Sequence, residues 1–178
     1  MLISIMLATL AGGCFWCTEA IFSQLKGVNK VTPGYSGGDV PSPSYDAVSS
    51  GETGHAESVQ IEYDAKIISF DKLLYVFFKL HDPTIKNRQG ADVGTQYRSA
   101  IFFHDNKQKE IAEKVKNEMQ KDYKDPIVTE IVEYKNFYPA DASHKDYYFK
   151  HRMSPYCILV IDPKINKLKK DFKEMLKA

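Results

Sequence analysis

The residues best suited to chemistry lie in Gly12-Gly13-Cys14-Phe15-Trp16-Cys17. Paired glycines allow a tight turn and the close approach of a ligand. Apolar residues precede them and a helical pattern follows, so Cys14 is expected at a helix N-terminus. Unpaired backbone N–H groups there lower a thiol pKa, and the thiolate is the attacking species. A free cysteine is most often an inert buried side chain. The glycine turn and the helix start weigh against that here. Cys17 completes a Cys-x-x-Cys, by itself a redox motif. Trp16 is the only tryptophan. With Phe15 it is either ordinary core or an aromatic wall for an apolar, sulfur-containing substrate, since sulfur packs well on rings.

A carboxyl and two phenols follow. Gly54-His55-Ala56-Glu57 ends a polar stretch and opens an expected strand. Desolvation against aromatics raises a carboxyl pKa toward neutrality, which lets it donate a proton near pH 7. A solvated edge glutamate fits the same residues. Tyr45 lies in the polar stretch 34–56, and Asp92 and Tyr97 lie in a second one, 82–98. Tyrosine hydroxyls in a pocket can donate to a developing oxyanion. Asp92 could instead brace the turn at Gly94. The five histidines are scattered and no second cysteine pair exists, so no metal site is expected. The lysines at 164, 167, 169, 170, 173 and 177 read as a solvated helix face.

These residues need elements to hold them. Strands are expected over 5–11, 28–34, 57–63, 99–104, 127–134 and 158–161. Helices are expected over 15–26, 69–80, 106–121 and 144–151, with one more at the C-terminus. Val59, Ile61 and Tyr63 alternate with polar residues, the period of a half-buried strand. Leu73, Leu74, Phe77, Phe78 and Leu80 form a wide apolar helix face, with Ser69 as a plausible N-cap. Ile111, Val115 and Met119 recur every four residues. Gly27 is placed to end the first helix. The order predicts an α+β fold: a single domain over 1–178 with a ferredoxin-like split βαβ core and long active-site loops. A doubly wound sheet is the alternative. Polar loops this long inside a compact domain are usually functional or disordered, and the embedded Tyr45, Asp92 and Tyr97 favour an ordered site wall.

At 178 residues the chain can bury a core without staples. A net charge of +1 argues against a nucleic-acid partner. The apolar run 1–11 carries no Lys or Arg and is too short to span a bilayer, so it is expected as a buried strand rather than a leader or anchor. Three cysteines are too few for a secreted disulfide framework. A cytoplasmic monomer with working thiols is expected.

Taken together, GGCFWC (12–17), GYSGG (34–38), TGHAE (53–57), FFKLHDPT (77–84), NRQGADVGTQYRSAIF (87–102) and Tyr156-Cys157 are similar to the A-type peptide methionine sulfoxide reductases. The stretches occur in the family's order over nearly the whole chain. The resemblance implies reduction of the S epimer of methionine sulfoxide, free or in proteins. It implies Cys14 as nucleophile, Phe15 and Trp16 as the pocket for the substrate methyl, and Glu57 as the acid. Tyr45 and Tyr97 would donate to the sulfoxide oxygen and Asp92 would order the site. Cys14 would end as a sulfenic acid, which a second thiol converts to a disulfide. No bound cofactor is implied; thioredoxin, or dithiothreitol in vitro, is the reductant. Many members have Gly where this chain has Cys17, so two resolving thiols compete. Cys157 has the family precedent and is the favoured partner, with Cys17 close behind.

Two other readings stay open at this point. A thioredoxin-like thiol–disulfide oxidoreductase would use Cys14-x-x-Cys17 and have little need of Glu57. A peptide-binding module would keep its function without the Cys14 thiol.

Overall fold

The computed structural model describes residues 5–178. In chain order the regular elements are β1 (Ile5–Gly12), α1 (Phe15–Phe22), β2 (Val28–Ser36), α2 (Tyr45–Ser49), β3 (Ala56–Asp64) and α3 (Phe70–Leu80). A two-residue hairpin follows, β4 (Arg88–Gln89) and β5 (Asp92–Val93). Next come β6 (Ser99–Phe103), α4 (Asn106–Met119), β7 (Glu130–Glu133), β8 (Tyr138–Pro139), α5 (Tyr147–Lys150) and α6 (Asp162–Asp171).

The main sheet has the order β7-β6-β1-β3-β2-β8. Within it β1 pairs antiparallel with both β3 and β6, and β2 pairs antiparallel with β3. Thus β1 and β2 run parallel with β3 between them, joined through α1. Likewise β3 and β6 run parallel with β1 between them, joined through α3. These two interlocked units are the ferredoxin-like core expected from the sequence, and the doubly wound alternative is set aside. β7 extends the sheet in parallel to β6, and β8 adds a short antiparallel edge to β2. Ile61 and Tyr63 of β3 turn to the core with Leu73, Leu74 and Phe78 of α3. Val115 and Met119 of α4 join them as expected, with Ala112, whereas Ile111 is only partly buried at the edge of the core. No helix among the described residues is long and apolar enough to cross a membrane.

Several expectations are corrected. The apolar start of the chain is a strand, but Ile5, Met6 and Leu7 are exposed and burial begins at Ala8. The part of that run over 1–4 lies outside the described residues. α1 stops at Phe22, four residues early, because tighter turns (Gln24 N–H to Ile21 O, Leu25 N–H to Phe22 O) bury Leu25 instead. Gly27, in the left-handed region at φ 84°, therefore turns the chain into β2 and caps no helix. Ser69 precedes α3 but makes no side-chain capping bond. The strand expected over 158–161 is a π-helical turn, Cys157–Ile161, that runs into α6. Cys157 and Ile161 are buried and Ile158 and Leu159 are exposed, which is helical periodicity. The helix expected over 144–151 shrinks to α5 behind a 3-10 turn, Ala142–His144.

Candidate active site

β1 delivers the chain to Gly12, and the turn to α1 follows at once. Gly13 has φ +92°, and a Cβ there would lie 2.7 Å from Gln89 Cγ. Both facts require glycine. Cys14 caps α1 with its backbone: its carbonyl accepts from Cys17 N–H at 3.1 Å and from Thr18 N–H at 3.4 Å. The free N–H of Phe15 donates to Glu57 Oε2 at 3.0 Å. The carboxyl from the second residue of β3 thus sits directly at the helix start that carries Cys14.

Glu57 is 2% exposed in an inner strand, so the solvated-edge alternative fails. Burial pushes its pKa up to about 8; the Phe15 N–H bond works against that and the Asp92 charge adds to it. It is protonated at neutral pH. The thiols depart from the helix-dipole expectation. Burial pushes Cys14 above the ordinary thiol value, and the neighbouring Cys17 and Glu57 push the same way. Cys17 is held down to about 7, first by a hydrogen bond from Cys14, with Lys164 and Tyr156 assisting. Desolvation outweighs a half-charge dipole at a buried turn, so the pair shares a proton that rests on Cys14.

The two polar stretches are ordered and tied together. Gln96 Nε2 donates to Ser49 O at 3.1 Å, Thr95 Oγ1 to Gly51 O at 3.2 Å, and Arg98 Nη2 to Gly54 O at 2.9 Å. Ser44 caps α2 by accepting from Ala47 N–H at 3.1 Å and so sets Tyr45 as its first residue. The Tyr45 ring stacks on Phe15 at 6.4 Å. Tyr97 ends a 3-10 turn, Thr95–Tyr97. Burial raises both phenols, and the Glu57 charge is the next largest influence on each. Both hydroxyls therefore keep their protons at neutral pH. Asp92 accepts from Tyr156 OH at 2.7 Å, and that hydroxyl lies 3.9 Å from Cys17 Sγ.

Phe15 is fully buried and Trp16 partly exposed. Trp16 Nε1–H donates to His144 Nδ1 at 3.2 Å, and Tyr147 stacks on the indole at 3.7 Å with planes 7° apart. Tyr156 meets the indole edge-on at 5.7 Å. All three cysteines are free and buried. Cys157 sits in the core with its N–H on Ser154 Oγ, whereas the groups acting on Cys14 are Cys17, Glu57 and Tyr156. Cys17 interacts directly with Cys14, while Cys17 and Cys157 both remain candidates to resolve a Cys14 sulfenic acid. Among the described residues no three of His, Cys, Asp or Glu are grouped to hold a metal ion.

Sequence reasoning missed Tyr35, His144, Tyr147 and the Tyr156 hydroxyl. Tyr35 faces Glu57 in strand register, and its buried hydroxyl has no hydrogen-bond partner among the described residues. Its place within GYSGG was a signal left unused. His144 and Tyr147 carried none, since their role depends on a segment far along the chain folding back onto α1.

The family model described as peptide methionine sulfoxide reductase matches residues 6–176. The chain is 54% identical over 165 residues to the peptide methionine sulfoxide reductase MsrA of Sulfolobus acidocaldarius, covering 93% of this chain and 94% of that protein. Among solved structures, Mxr1 of Saccharomyces cerevisiae in reduced form matches with TM-score 0.79 and 38% identity, over 86% of this chain and 89% of that one. Mxr1 in complex with Trx2 matches with TM-score 0.56 and 30% identity, over 80% and 84%.

Proposed function

The chain belongs to the peptide methionine sulfoxide reductase family, and from that premise we propose how its residues divide the work. The enzyme reduces methionine sulfoxide and is recycled by thioredoxin; the thioredoxin-like alternative is not favoured. The observation that carries the division of labour is the Phe15 N–H bond to Glu57, which joins an acid protonated near neutrality to the turn bearing Cys14.

Phe15 and Trp16 receive the methyl group of the S epimer. Tyr45 and Tyr97 hold the sulfoxide oxygen and Glu57 protonates it. The Cys14 proton passes to Cys17 along their hydrogen bond, and the Cys14 thiolate attacks the sulfoxide sulfur. The protonated oxygen then transfers from the sulfoxide sulfur to Cys14 Sγ: the S–O bond and the new sulfur–sulfur bond break, methionine leaves with the sulfur electron pair, and Cys14 is left as a sulfenic acid. The Cys17 sulfur then attacks Cys14 Sγ. The sulfenic hydroxyl departs with the Cys17 proton as water, leaving a disulfide. A dithiol reductant takes its place by exchange and is itself oxidised. Asp92 keeps Tyr156 beside the thiol pair. Such recycling needs a reducing compartment, which supports a cytoplasmic setting.

The direct test is incubation with each sulfoxide epimer and dithiothreitol, with methionine quantified by chromatography. Methionine from the S epimer alone is expected. Equal consumption of both epimers would overturn the stereochemical reading, and no methionine from either would overturn the division of labour.

A further inference from the structure

Glu19 lies within α1, one turn beyond Trp16, and is only 1% exposed. A buried carboxylate is expensive to desolvate unless its oxygens are fully engaged. Here both are, by two residues from far along the chain. Oε1 accepts from Lys145 Nζ at 2.6 Å, and the Asp146 N–H donates to Oε1 at 3.1 Å and to Oε2 at 3.0 Å. Lys145 Nζ also reaches Asp146 Oδ1 at 3.0 Å.

Those partners sit at a strained point. Asp146 adopts φ 55° and ψ 31°, the left-handed region, and stands before α5 without a side-chain capping bond. A non-glycine persists there when its surroundings hold it. Glu19 supplies the hold. The residues on either side of the gripped pair are His144 and Tyr147. His144 accepts the indole N–H, with its ring 5.9 Å from Trp16 at 19°, and Tyr147 stacks on the same indole at 3.7 Å. One carboxylate on α1 therefore fixes the segment that fixes Trp16 of the same helix.

We infer that Glu19 is a positioning residue of the substrate pocket: it pins residues 145–146 so that His144 and Tyr147 hold the Trp16 indole in its receiving orientation. The inference rests on the reading of Phe15 and Trp16 as the methyl pocket. Nothing in the chemistry of the reaction passes through Glu19 itself.

Trp16 is the chain's single tryptophan, so intrinsic fluorescence reports its surroundings without a second indole. In Glu19→Gln the Lys145 ion pair is lost and one acceptor oxygen becomes a donor. The expected result is a red-shifted, more readily quenched Trp16 emission. KM for the S sulfoxide should rise roughly tenfold while kcat changes by less than about twofold, as for a lost binding interaction. Glu19→Asp should recover part of both. Lys145→Met, at a half-exposed position, should move both readouts in the same direction by less, and it carries the test if Glu19→Gln fails to fold. A folded Glu19→Gln or Lys145→Met with unchanged emission and unchanged KM overturns the inference. A KM raised by Trp16→Phe but not by Glu19→Gln also overturns it and leaves the pocket reading standing. A shifted emission with KM unmoved by Glu19→Gln and Trp16→Phe alike overturns the pocket reading, and the inference with it.

Discussion

Cys14 is pulled two ways: the helix start favours its thiolate and burial opposes it. Burial wins, so the nucleophile is held as a thiol beside a Cys17 that accepts its proton. Glu57 is buried for the complementary purpose of staying protonated. Single-turnover reduction should therefore rise as the thiol pair loses its first proton near pH 7. It should fall as Glu57 deprotonates through about 8. A rate that is flat from pH 6 to 9 would contradict this. Glu57→Gln keeps the shape without the proton and should slow the step by about 10²–10⁴-fold while removing the alkaline fall. Cys14→Ser should yield no methionine in a single turnover. One equivalent formed by that variant would take the nucleophile's role from Cys14.

At the scale of elements, the turn between β1 and α1 and the π-helical turn before α6 set the thiol chemistry. Gly13→Ala would place a Cβ against Gln89 and force a left-handed alanine. A loss of about 1–2 kcal/mol from backbone strain alone is expected in chemical denaturation. An unchanged midpoint would mean that Gln89 and the turn relax freely. Cys14 and Cys17 lie one helical turn apart at the start of α1, a spacing at which a disulfide, whose Cα atoms need to be roughly 4.4–6.8 Å apart, asks for little movement. Cys157 is fully buried in the π-helical turn, with its N–H on Ser154 Oγ. Peptide mapping of the oxidised enzyme should find Cys14–Cys17. Thioredoxin-dependent turnover should survive Cys157→Ser and stop after one equivalent in Cys17→Ser. The reverse pattern would return the resolving role to Cys157.

At the scale of the whole molecule, the site's protonation states enter the stability curve. Glu57 has a folded pKa near 8, above its unfolded value of about 4.5, so the native state binds more protons between those limits. Stability is full below the lower value and falls as pH rises through the folded one. His81 acts in the opposite sense. Buried between Phe77 O at 2.6 Å and Ser99 Oγ at 2.7 Å, it is held down to about 4, first by burial, so stability falls as pH drops below about 6.5. Thermal unfolding should show Glu57→Gln gaining on the wild type from pH 6 to pH 9. A constant difference across that range would show that Glu57 keeps an ordinary pKa in the folded protein.

The residues alone pointed to a ferredoxin-like core, because βαββαβ order and apolar period are local properties that admit few packings, and the antiparallel pairing of β1 with β3 and β6 then removed the doubly wound alternative. They also marked Cys14 and Glu57, whose glycine turn and strand start are local too. Other features were settled only by long-range packing. The apolar run at 158–161 satisfies strand and helix composition alike, and burial of Cys157 and Ile161 on one side decided for the helical turn. The direction of the Cys14 shift depended on how deeply the turn was covered, which no motif encodes. The clamp from Glu19 to residues 145–146 spans more than a hundred residues of chain, and its partners have no common pattern in sequence. Local chemistry is written in neighbouring residues; desolvation and distant hydrogen bonds exist only once the chain has folded.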